Sequence, residues 1–182
     1  MKHHTLRRGV AAIGVAALAL APATGAMASS RPSTGSVDPS TEANVLDAMN
    51  GEAFAHAAYH AYGAQARTEG SQRVAALYDR TAGVELDDHF TGEAKLIGFV
   101  GDNAANLRDS ISGEDYETTT MYPQFAAEAE AAGDEAAAEL FTEIAQDEAT
   151  HRDYYVQALQ AITDPSSGVT IPTGPSAEPV VI

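Results

Sequence analysis

The sequence contains no cysteine and no tryptophan, and only 10 of its 182 residues are lysine or arginine. Without thiols, the chain has no means of forming a disulfide, a thiolate metal site or a cysteine nucleophile. The 26 acidic residues give a formal net charge of −16, which argues against nucleic acid and anionic membranes as partners. A chain of this length suits one domain, whose core has to be stable without covalent cross-links.

A long hydrophobic run is also missing, and the apolar stretch near the N-terminus is too short to span a membrane. It covers residues 9–21, whereas a transmembrane helix needs roughly 20 apolar residues. Positive charges precede it, and Ala26-Met27-Ala28 follows it as a small-x-small cleavage pattern. We therefore predict a signal peptide over residues 1–28 and a secreted, extracytoplasmic protein. The pair Arg7-Arg8 leaves general secretion and twin-arginine export both open.

A strong helical pattern occupies residues 42–163, between two segments of different composition. Residues 29–41 are rich in Ser, Pro, Thr and Gly and predict a flexible leader, and residues 164–182 hold four prolines and predict an irregular tail. Alanine is abundant between them, and glycines interrupt the pattern at sites suited to helix ends. Short connections favour antiparallel neighbours. The four predicted helices are 42–68, 71–97, 103–132 and 134–163, the third kinked at Pro123.

Each predicted helix places carboxylates on the same face as apolar residues, because steps of three and four residues define one helix face. The apolar residues of such a stripe need a core, and the acids are carried into it with them. Clustered carboxylates away from water repel one another, and a bound cation relieves both costs. We therefore predict a metal site inside a helical bundle. The stripes are Val45, Met49, Glu52, His56 and Tyr59; Val74, Tyr78, Thr81 and Glu85; Leu107, Ile111, Glu114, Glu117, Met121 and Phe125; and Ile144, Glu148, His151, Tyr155 and Leu159.

The spacing within two stripes suits shared ligation of one ion. Glu148 and His151 are three residues apart, about 60° around the helix, and Glu114 and Glu117 have the same spacing. Carboxylate-plus-imidazole ligation suits iron, manganese or zinc. Several carboxylates able to bridge favour a dinuclear site, as in ferritin-like di-iron bundles with glutamates and Glu-x-x-His pairs.

The second helix leaves its imidazole position open. Asp88 lies about 60° to one side of Glu85 and His89 about 40° to the other, so geometry alone does not choose between them. Either Asp88 is the ligand, or a local irregularity of the helix brings in His89. His56, one turn from Glu52, is a further candidate imidazole.

In these segments the sequence resembles the rubrerythrin family. The motifs that carry the resemblance lie in one order along all four predicted helices, between Asn44 and Leu159. The resemblance implies an all-α, ferritin-like four-helix bundle whose metal ligands include Glu52, Glu85, Glu114, Glu117, Glu148 and His151. The motifs are Gly51-Glu52 with Tyr59, Ala82-x-x-Glu85, Gly113-Glu114-Asp115-Tyr116-Glu117 followed by Met121-Tyr122-Pro123, and Ala145-x-x-Glu148-x-x-His151.

The resemblance also implies a function. It predicts an oxidoreductase that reduces hydrogen peroxide to water at two iron ions, with oxidation of Fe(II) by dioxygen or peroxide as a related activity. It places Tyr59 and Tyr122 at the site and implies a homodimer, with exchange of helices between subunits as one arrangement.

The sequence departs from the family pattern in two places. The family has Glu-x-x-His on the second helix, where this chain has Glu85-Leu-Asp-Asp88-His89. Typical members continue into a cysteine-ligated iron domain, so an external electron donor is expected here. Both departures keep open an alternative, an extracytoplasmic protein that binds or stores metal without turnover.

Overall fold

The structure, a computed structural model, describes residues 37–176, and these residues form helices joined by short turns with no strand among them. The predicted all-α, ferritin-like class of four long helices is confirmed. The predicted signal peptide, most of the leader and residues 177–182 lie outside the described residues. Between residues 37 and 176, no helix is both long and apolar enough to cross a membrane. The elements are α1 (Pro39–Thr68), α2 (Gln72–Val84), π1 (Glu85–Phe90), α3 (Thr91–Ile97), α4 (Asn103–Tyr116), π2 (Glu117–Met121), α5 (Tyr122–Ala132), α6 (Glu135–Thr163) and a 3₁₀ turn (Pro165–Ser167).

Local sequence explains where the long helices begin and end. Gly70, two residues after the end of α1, and Gly133, directly after α5, have φ angles of +75° and +83°, a left-handed conformation that glycine adopts without steric cost. The side chain of Asp102 caps α4, because its Oδ1 accepts a hydrogen bond from the backbone N–H of Ala105 at 2.7 Å. The observed limits of the long helices lie within three residues of the predicted ones.

Two π-helical segments interrupt the second and third long helices. The first, π1, begins at Glu85, and the second, π2, begins at Glu117. A π-helical turn takes up more residues than an α-helical one and is often found at functional sites. Pro123, where the sequence predicts a kink, is the second residue of α5 and follows the last residue of π2 by two positions. Both segments therefore start at a predicted metal ligand.

The long helices pair into two hairpins. In the first hairpin, residues 39–97, α1 packs against α2, π1 and α3; in the second, residues 103–163, α6 packs against α4, π2 and α5. Within residues 37–176, no helix of one hairpin packs against a helix of the other. Residues 98–102 connect them.

The core of the described chain is correspondingly small. Its fully buried residues are mostly alanines, with Val45, Met49 and Ile97 as the large ones, all in the first hairpin. Large apolar side chains such as Phe54 and Leu140 are more than half exposed. Each hairpin therefore presents apolar surface that is available for packing.

Candidate metal centre

The first hairpin brings three predicted ligands together, which we call the first ligand group: Glu52 of α1 with Glu85 and His89 of π1. Their ligand atoms all lie within 4.8 Å of one another. The Nδ1 atom of His89 is 2.8 Å from Glu85 Oε2 and 3.7 Å from Glu52 Oε1. The three side chains can therefore converge on one cation.

The π1 segment explains how His89 reaches this group. Because a π turn holds one residue more than an α turn, His89 takes the place that a residue three positions after Glu85 has in an α-helix. Of the two candidates left open by the sequence, the structure brings His89 to the glutamates and leaves Asp88 exposed and outside the group. Desolvation lowers the pKa of His89, but its hydrogen bond to Glu85 and the charges of Glu52, Glu85 and Asp88 outweigh it, so the net pKa is raised.

His56, the further candidate imidazole, lies outside both ligand groups. Its Nδ1 donates a hydrogen bond to the carbonyl oxygen of Ala82, 2.8 Å away and three residues before π1. Its ring contacts the ring of His60, with centroids 4.6 Å apart. His56 therefore ties α1 to the start of the π-helical segment, and this contact supports a positioning role.

The second hairpin contains a matching set, the second ligand group: Glu114 of α4 with Glu148 and His151 of α6. The Nδ1 atom of His151 is 2.7 Å from Glu148 Oε2 and 4.0 Å from Glu114 Oε2. The predicted three-residue spacing thus places Glu148 and His151 side by side. In both groups two carboxylates and one imidazole meet across a pair of helices.

The carboxylates of the second group are under electrostatic strain. Burial, followed by the neighbouring carboxylate of Glu148, raises the pKa of Glu114 to about 7, although His151 opposes the shift. Burial and then the charge of Glu148 also raise the pKa of Glu117, the half-buried first residue of π2. Glu117 thus lies close enough to Glu148 to sense its charge, although it is outside the tight three-residue group.

The two predicted site tyrosines have different surroundings. Burial, and then the charges of Glu117, Glu148 and Glu114, raise the pKa of Tyr122, which places its hydroxyl near the second group. Tyr59 packs against the rings of two other tyrosines at centroid distances of 5.8 and 6.3 Å. It lies seven residues beyond Glu52, or about 10 Å along α1.

The residues present fit a bound cation. Glu114 Oε2 is buried and has no hydrogen-bond partner among the described residues, although a buried carboxylate oxygen normally has one. A metal ion next to Glu148 would satisfy that oxygen and lower the mutual repulsion of the carboxylates. The Glu/His donor set suits iron, manganese or zinc.

The ligand groups are less buried than the stripes predicted. No charged side chain among residues 37–176 is fully buried, and the group glutamates are 13–26% exposed. The physical reason is that neither hairpin covers the ligand face of the other. Apart from Asp88, which is exposed, the ligands predicted on the four helices therefore lie on two half-covered faces.

One carboxylate on the first hairpin was missed by the sequence reasoning. Glu93 of α3 is half-buried, and its Oε2 has no hydrogen-bond partner among the described residues. It follows His89 by four residues, a spacing that marks the same helix face. That spacing was the available signal, but the stripe of the second helix had been traced only as far as Glu85.

Comparison with known proteins identifies relatives of this chain. A sequence profile described as rubrerythrin matches residues 84–159. Nigerythrin from Nitratidesulfovibrio vulgaris is 34% identical over 140 residues, covering 69% of each chain. Rubrerythrin from Porphyromonas gingivalis is 33% identical over 138 residues, also covering 69% of each. A putative rubrerythrin from Methanocaldococcus jannaschii is 28% identical over 142 residues, covering 66% of this chain and 70% of the relative.

Proposed function

Because this chain belongs to the rubrerythrin family, we propose that it is a di-iron oxidoreductase whose two ligand groups together hold a pair of iron ions. The observation that carries the proposal is the matched composition of the groups, each with two glutamates and one histidine across a helix pair. Manganese or zinc would fit the same donors, so the metal itself belongs to the test.

The reaction we propose is reduction of hydrogen peroxide, H₂O₂ + 2 H⁺ + 2 e⁻ → 2 H₂O. Iron held by Glu52, Glu85, His89, Glu114, Glu148 and His151 would supply the two electrons, and an external electron donor of unidentified class would restore them. Oxidation of Fe(II) by dioxygen or peroxide is the related activity that the same site supports.

The chain's own residues contribute proton handling. Glu114, with a pKa of about 7, can hold or release a proton near neutral pH. The Tyr122 hydroxyl, whose pKa is raised, remains a hydrogen-bond donor beside Glu117 and Glu148. At the loaded site the Tyr122 hydroxyl is the donor to an oxygen atom of the substrate, because Glu114 gives up its proton when it binds the metal.

The first experiment counts iron and follows peroxide. We expect the chain to bind about two Fe(II) per polypeptide without oxygen, and one equivalent of peroxide to be consumed rapidly with the appearance of an oxo-bridged di-ferric absorption band. If two iron ions bind but the added peroxide is not consumed, the peroxidase proposal is overturned.

The alternative is a metal-binding or storage protein without turnover. Each hairpin has a complete three-ligand group of its own, so one ion per hairpin can be bound without any contact between the groups. Stoichiometric binding that peroxide does not change, with no coupling between two bound paramagnetic ions, would favour this second function.

We also propose export, on the basis of residues 1–28. Expression of the full chain in a bacterial host should yield a mature protein that begins at Ser29 in the extracytoplasmic fraction. A chain that keeps Met1 and stays in the cytoplasm would contradict the proposal. Blocking the twin-arginine route separately from general secretion would identify the pathway.

A second copy of the chain is the partner we propose for completing the site. The two ligand groups lie on hairpins that do not pack against each other within residues 37–176, so one dinuclear site needs hairpins to be brought together. Two copies can do this by exchanging hairpins, so that each site combines the first hairpin of one copy with the second hairpin of the other.

Complementation of inactive variants distinguishes exchange from closure within one chain. Glu85→Gln disables the first group and Glu148→Gln the second. In an exchanged heterodimer of these variants, one site takes both disabled groups and the other takes both intact groups. We therefore expect mixing after mild unfolding and refolding to restore dinuclear sites. No restoration, with iron bound normally by the unmodified chain, would show that each chain closes on itself.

A further inference from the structure

The chain after α6 folds back over the second hairpin. The 3₁₀ turn is capped by Asp164, whose Oδ1 accepts a hydrogen bond from Ser166 N at 3.2 Å, and Gly168 follows with a φ of +71°. Residues 169–176, which we call the strap, then run back along the helices. Two cavities of 420 and 310 Å³ lie between the strap and the hairpin, and Ile171 lines both.

On α4, the strap lies on the face that carries a metal ligand. The cavities are lined by Asn103, Leu107 and Ser110. These residues precede Glu114 by eleven, seven and four positions, the spacing of one α-helical face. Leu107 is about 10 Å along the helix from Glu114.

On α6, the lining shows the same relation. Ala158, Tyr155 and His151 line the larger cavity, together with residues 171–175 of the strap. His151 belongs to the second ligand group, and Tyr155 follows it by one turn on the same face. The strap therefore extends along the ligand face of the second hairpin as far as the cavity that contains His151.

The first hairpin needs this same face to complete a dinuclear site. Glu52 lies near the middle of α1, with 13 residues of the helix before it and 16 after it. At 1.5 Å per residue, α1 extends about 20 Å to either side of its ligand. If aligned helices place Glu52 opposite Glu114, α1 or its hairpin neighbour also covers the surface at Leu107. The strap and the first hairpin cannot both occupy it.

We propose that the strap is a displaceable cover, which occupies the ligand face of the second hairpin and delays assembly of the dinuclear site until the first hairpin replaces it. The inference rests on the proposed function, because it assumes that the two ligand groups come together. The strap is held weakly: Ile171 is 62% exposed, and within residues 37–176 the hydrogen bonding of the strap is confined to Val169, whose N–H donates to Ser167 Oγ at 3.3 Å.

A spin label on the strap tests its position. Because the chain has no cysteine, Thr173→Cys provides a unique labelling site, and Ser166→Cys in the turn is the matched control. In the metal-free chain we expect the label at position 173 to be immobilised, and Ile171→Asp to mobilise it. On binding Fe(II) without oxygen, the label at 173 should become mobile, with a smaller change at 166. A label that is mobile from the start would overturn the proposal.

Removal of the strap tests its effect on assembly. A chain that ends at Gly168 keeps every helix, and circular dichroism verifies that it is folded. If the strap covers the face for 70–90% of the time, its removal should speed formation of the two-iron site by roughly three- to tenfold. The final iron stoichiometry should be unchanged. Equal rates in the full and shortened chains would overturn the proposal.

The outcomes separate this inference from the proposed function. If neither chain binds two irons, the proposed function fails, and with it the displacement of the strap, even where the label at 173 is immobilised. If two irons bind and the label at 173 stays immobilised, the dinuclear site stands and the displaceable cover is ruled out.

Discussion

The two hairpins carry ligand groups of the same composition, but the electrostatic surroundings of the two groups differ. Each gathers two glutamates and a histidine, and in each a π-helical segment begins at a predicted ligand, at Glu85 or at Glu117. In the first hairpin the histidine is the exposed member, since half of the His89 side chain is accessible. In the second, the carboxylates are the strained members, with the pKa of Glu114 raised to about 7.

This difference predicts that the two ligand groups bind their metal ions with different affinities. In the first group desolvation is outweighed by the hydrogen bond to Glu85 and the charges of Glu52, Glu85 and Asp88, which raise the pKa of His89, so the imidazole favours its positively charged form beside the glutamates. In the second hairpin a third carboxylate, Glu117, lies near Glu114 and Glu148, and Glu114 Oε2 has no hydrogen-bond partner among the described residues. A cation therefore relieves more repulsion in the second hairpin, which we expect to hold its ion more tightly.

The largest expected effect comes from removing a ligand of the second group. We expect Glu148→Gln to lower the iron content from two per chain to about one, and to slow peroxide consumption more than about 100-fold, because loss of even an outer-shell partner costs 10- to 100-fold. Metal analysis and stopped-flow spectroscopy measure both quantities. Glu143→Gln, an exposed glutamate on the same helix, is the matched control.

Glu85→Gln sharpens the comparison between the hairpins. Glu85→Gln should also remove one ion, and the ion that remains is then the one in the second hairpin. It should dissociate more slowly than the ion that remains in the first hairpin of Glu148→Gln. Equal dissociation rates in the two variants would contradict the prediction that the second group binds its ion more tightly than the first.

A second prediction concerns the π1 segment. His89→Ala should weaken the first metal site by at least tenfold, whereas Asp88→Ala should leave it nearly unchanged because Asp88 lies outside the ligand group. Deletion of Asp88 should keep the site, because it turns Glu85-x-x-x-His into Glu85-x-x-His and a π turn into an α turn. Isothermal titration with Mn²⁺ measures the affinities.

The second hairpin supplies the control for this deletion. Glu148 and His151 lie in an uninterrupted α-helix, so deletion of Thr150 should rotate the histidine by about 100° and abolish binding there. If deletion of Asp88 weakens metal binding as much as His89→Ala does, the interpretation of π1 as a helix with one inserted residue is wrong.

Sequence patterns predict the helices well and their arrangement poorly. Glycines and caps such as Asp102 act locally, so the helix limits are predictable to within three residues. The choice between Asp88 and His89 depends on a π turn, which alternates with an α turn at little local cost and leaves no clear periodicity. The sequence also does not predict that the hairpins are separate, because a helix face has the same apolar pattern whether it packs against its own chain or against a second copy. Glu93 was missed because the predicted stripe of the second helix ends at Glu85, although Glu85, His89 and Glu93 follow one another at steps of four residues.

A third prediction follows from the raised pKa of Glu114. Its ordinary value is 4.5, and in the folded chain it is about 7, so the folded state binds more protons than the unfolded state between these values. The metal-free chain should therefore be most stable below about pH 4.5 with respect to this group and lose stability as the pH rises through 7. His89, whose pKa is also raised, acts in the same direction.

The rise in the pKa of Glu114 from 4.5 to about 7 corresponds to at most about 3.4 kcal/mol, and the partial exposure of its side chain reduces the expected loss to about 1 to 2 kcal/mol, or a few degrees in the unfolding temperature. Thermal unfolding of the metal-free chain between pH 5 and pH 8 measures it, and Glu114→Gln should flatten the profile more than the control Glu143→Gln. Bound metal should reverse the trend, since protons compete with the ion for the same carboxylates. A metal-free profile that rises with pH would contradict the assignment.

The smallest expected effect comes from the ion pairs that join the helices within each hairpin. Arg152 NH1 donates to Asp115 Oδ1 at 3.0 Å between α6 and α4, and Arg67 pairs with Asp79 between α1 and α2. Solvent-exposed pairs of this kind contribute little to stability, so Arg152→Ala and Arg67→Ala should each lower the unfolding temperature only slightly.

Metal affinity should nevertheless distinguish the two pairs. Arg152 and Asp115 adjoin the ligands His151 and Glu114 in sequence, so their pairing fixes the helices where the second group forms. Arg67 lies 15 residues from Glu52, or more than about 20 Å along α1. We therefore expect Arg152→Ala to weaken metal binding by a few-fold and Arg67→Ala to leave it unchanged, as measured by Mn²⁺ titration at low and high salt. If both substitutions weaken metal binding equally, the Arg152–Asp115 pair has no specific effect on the second ligand group, and each pair acts only through the stability of its hairpin.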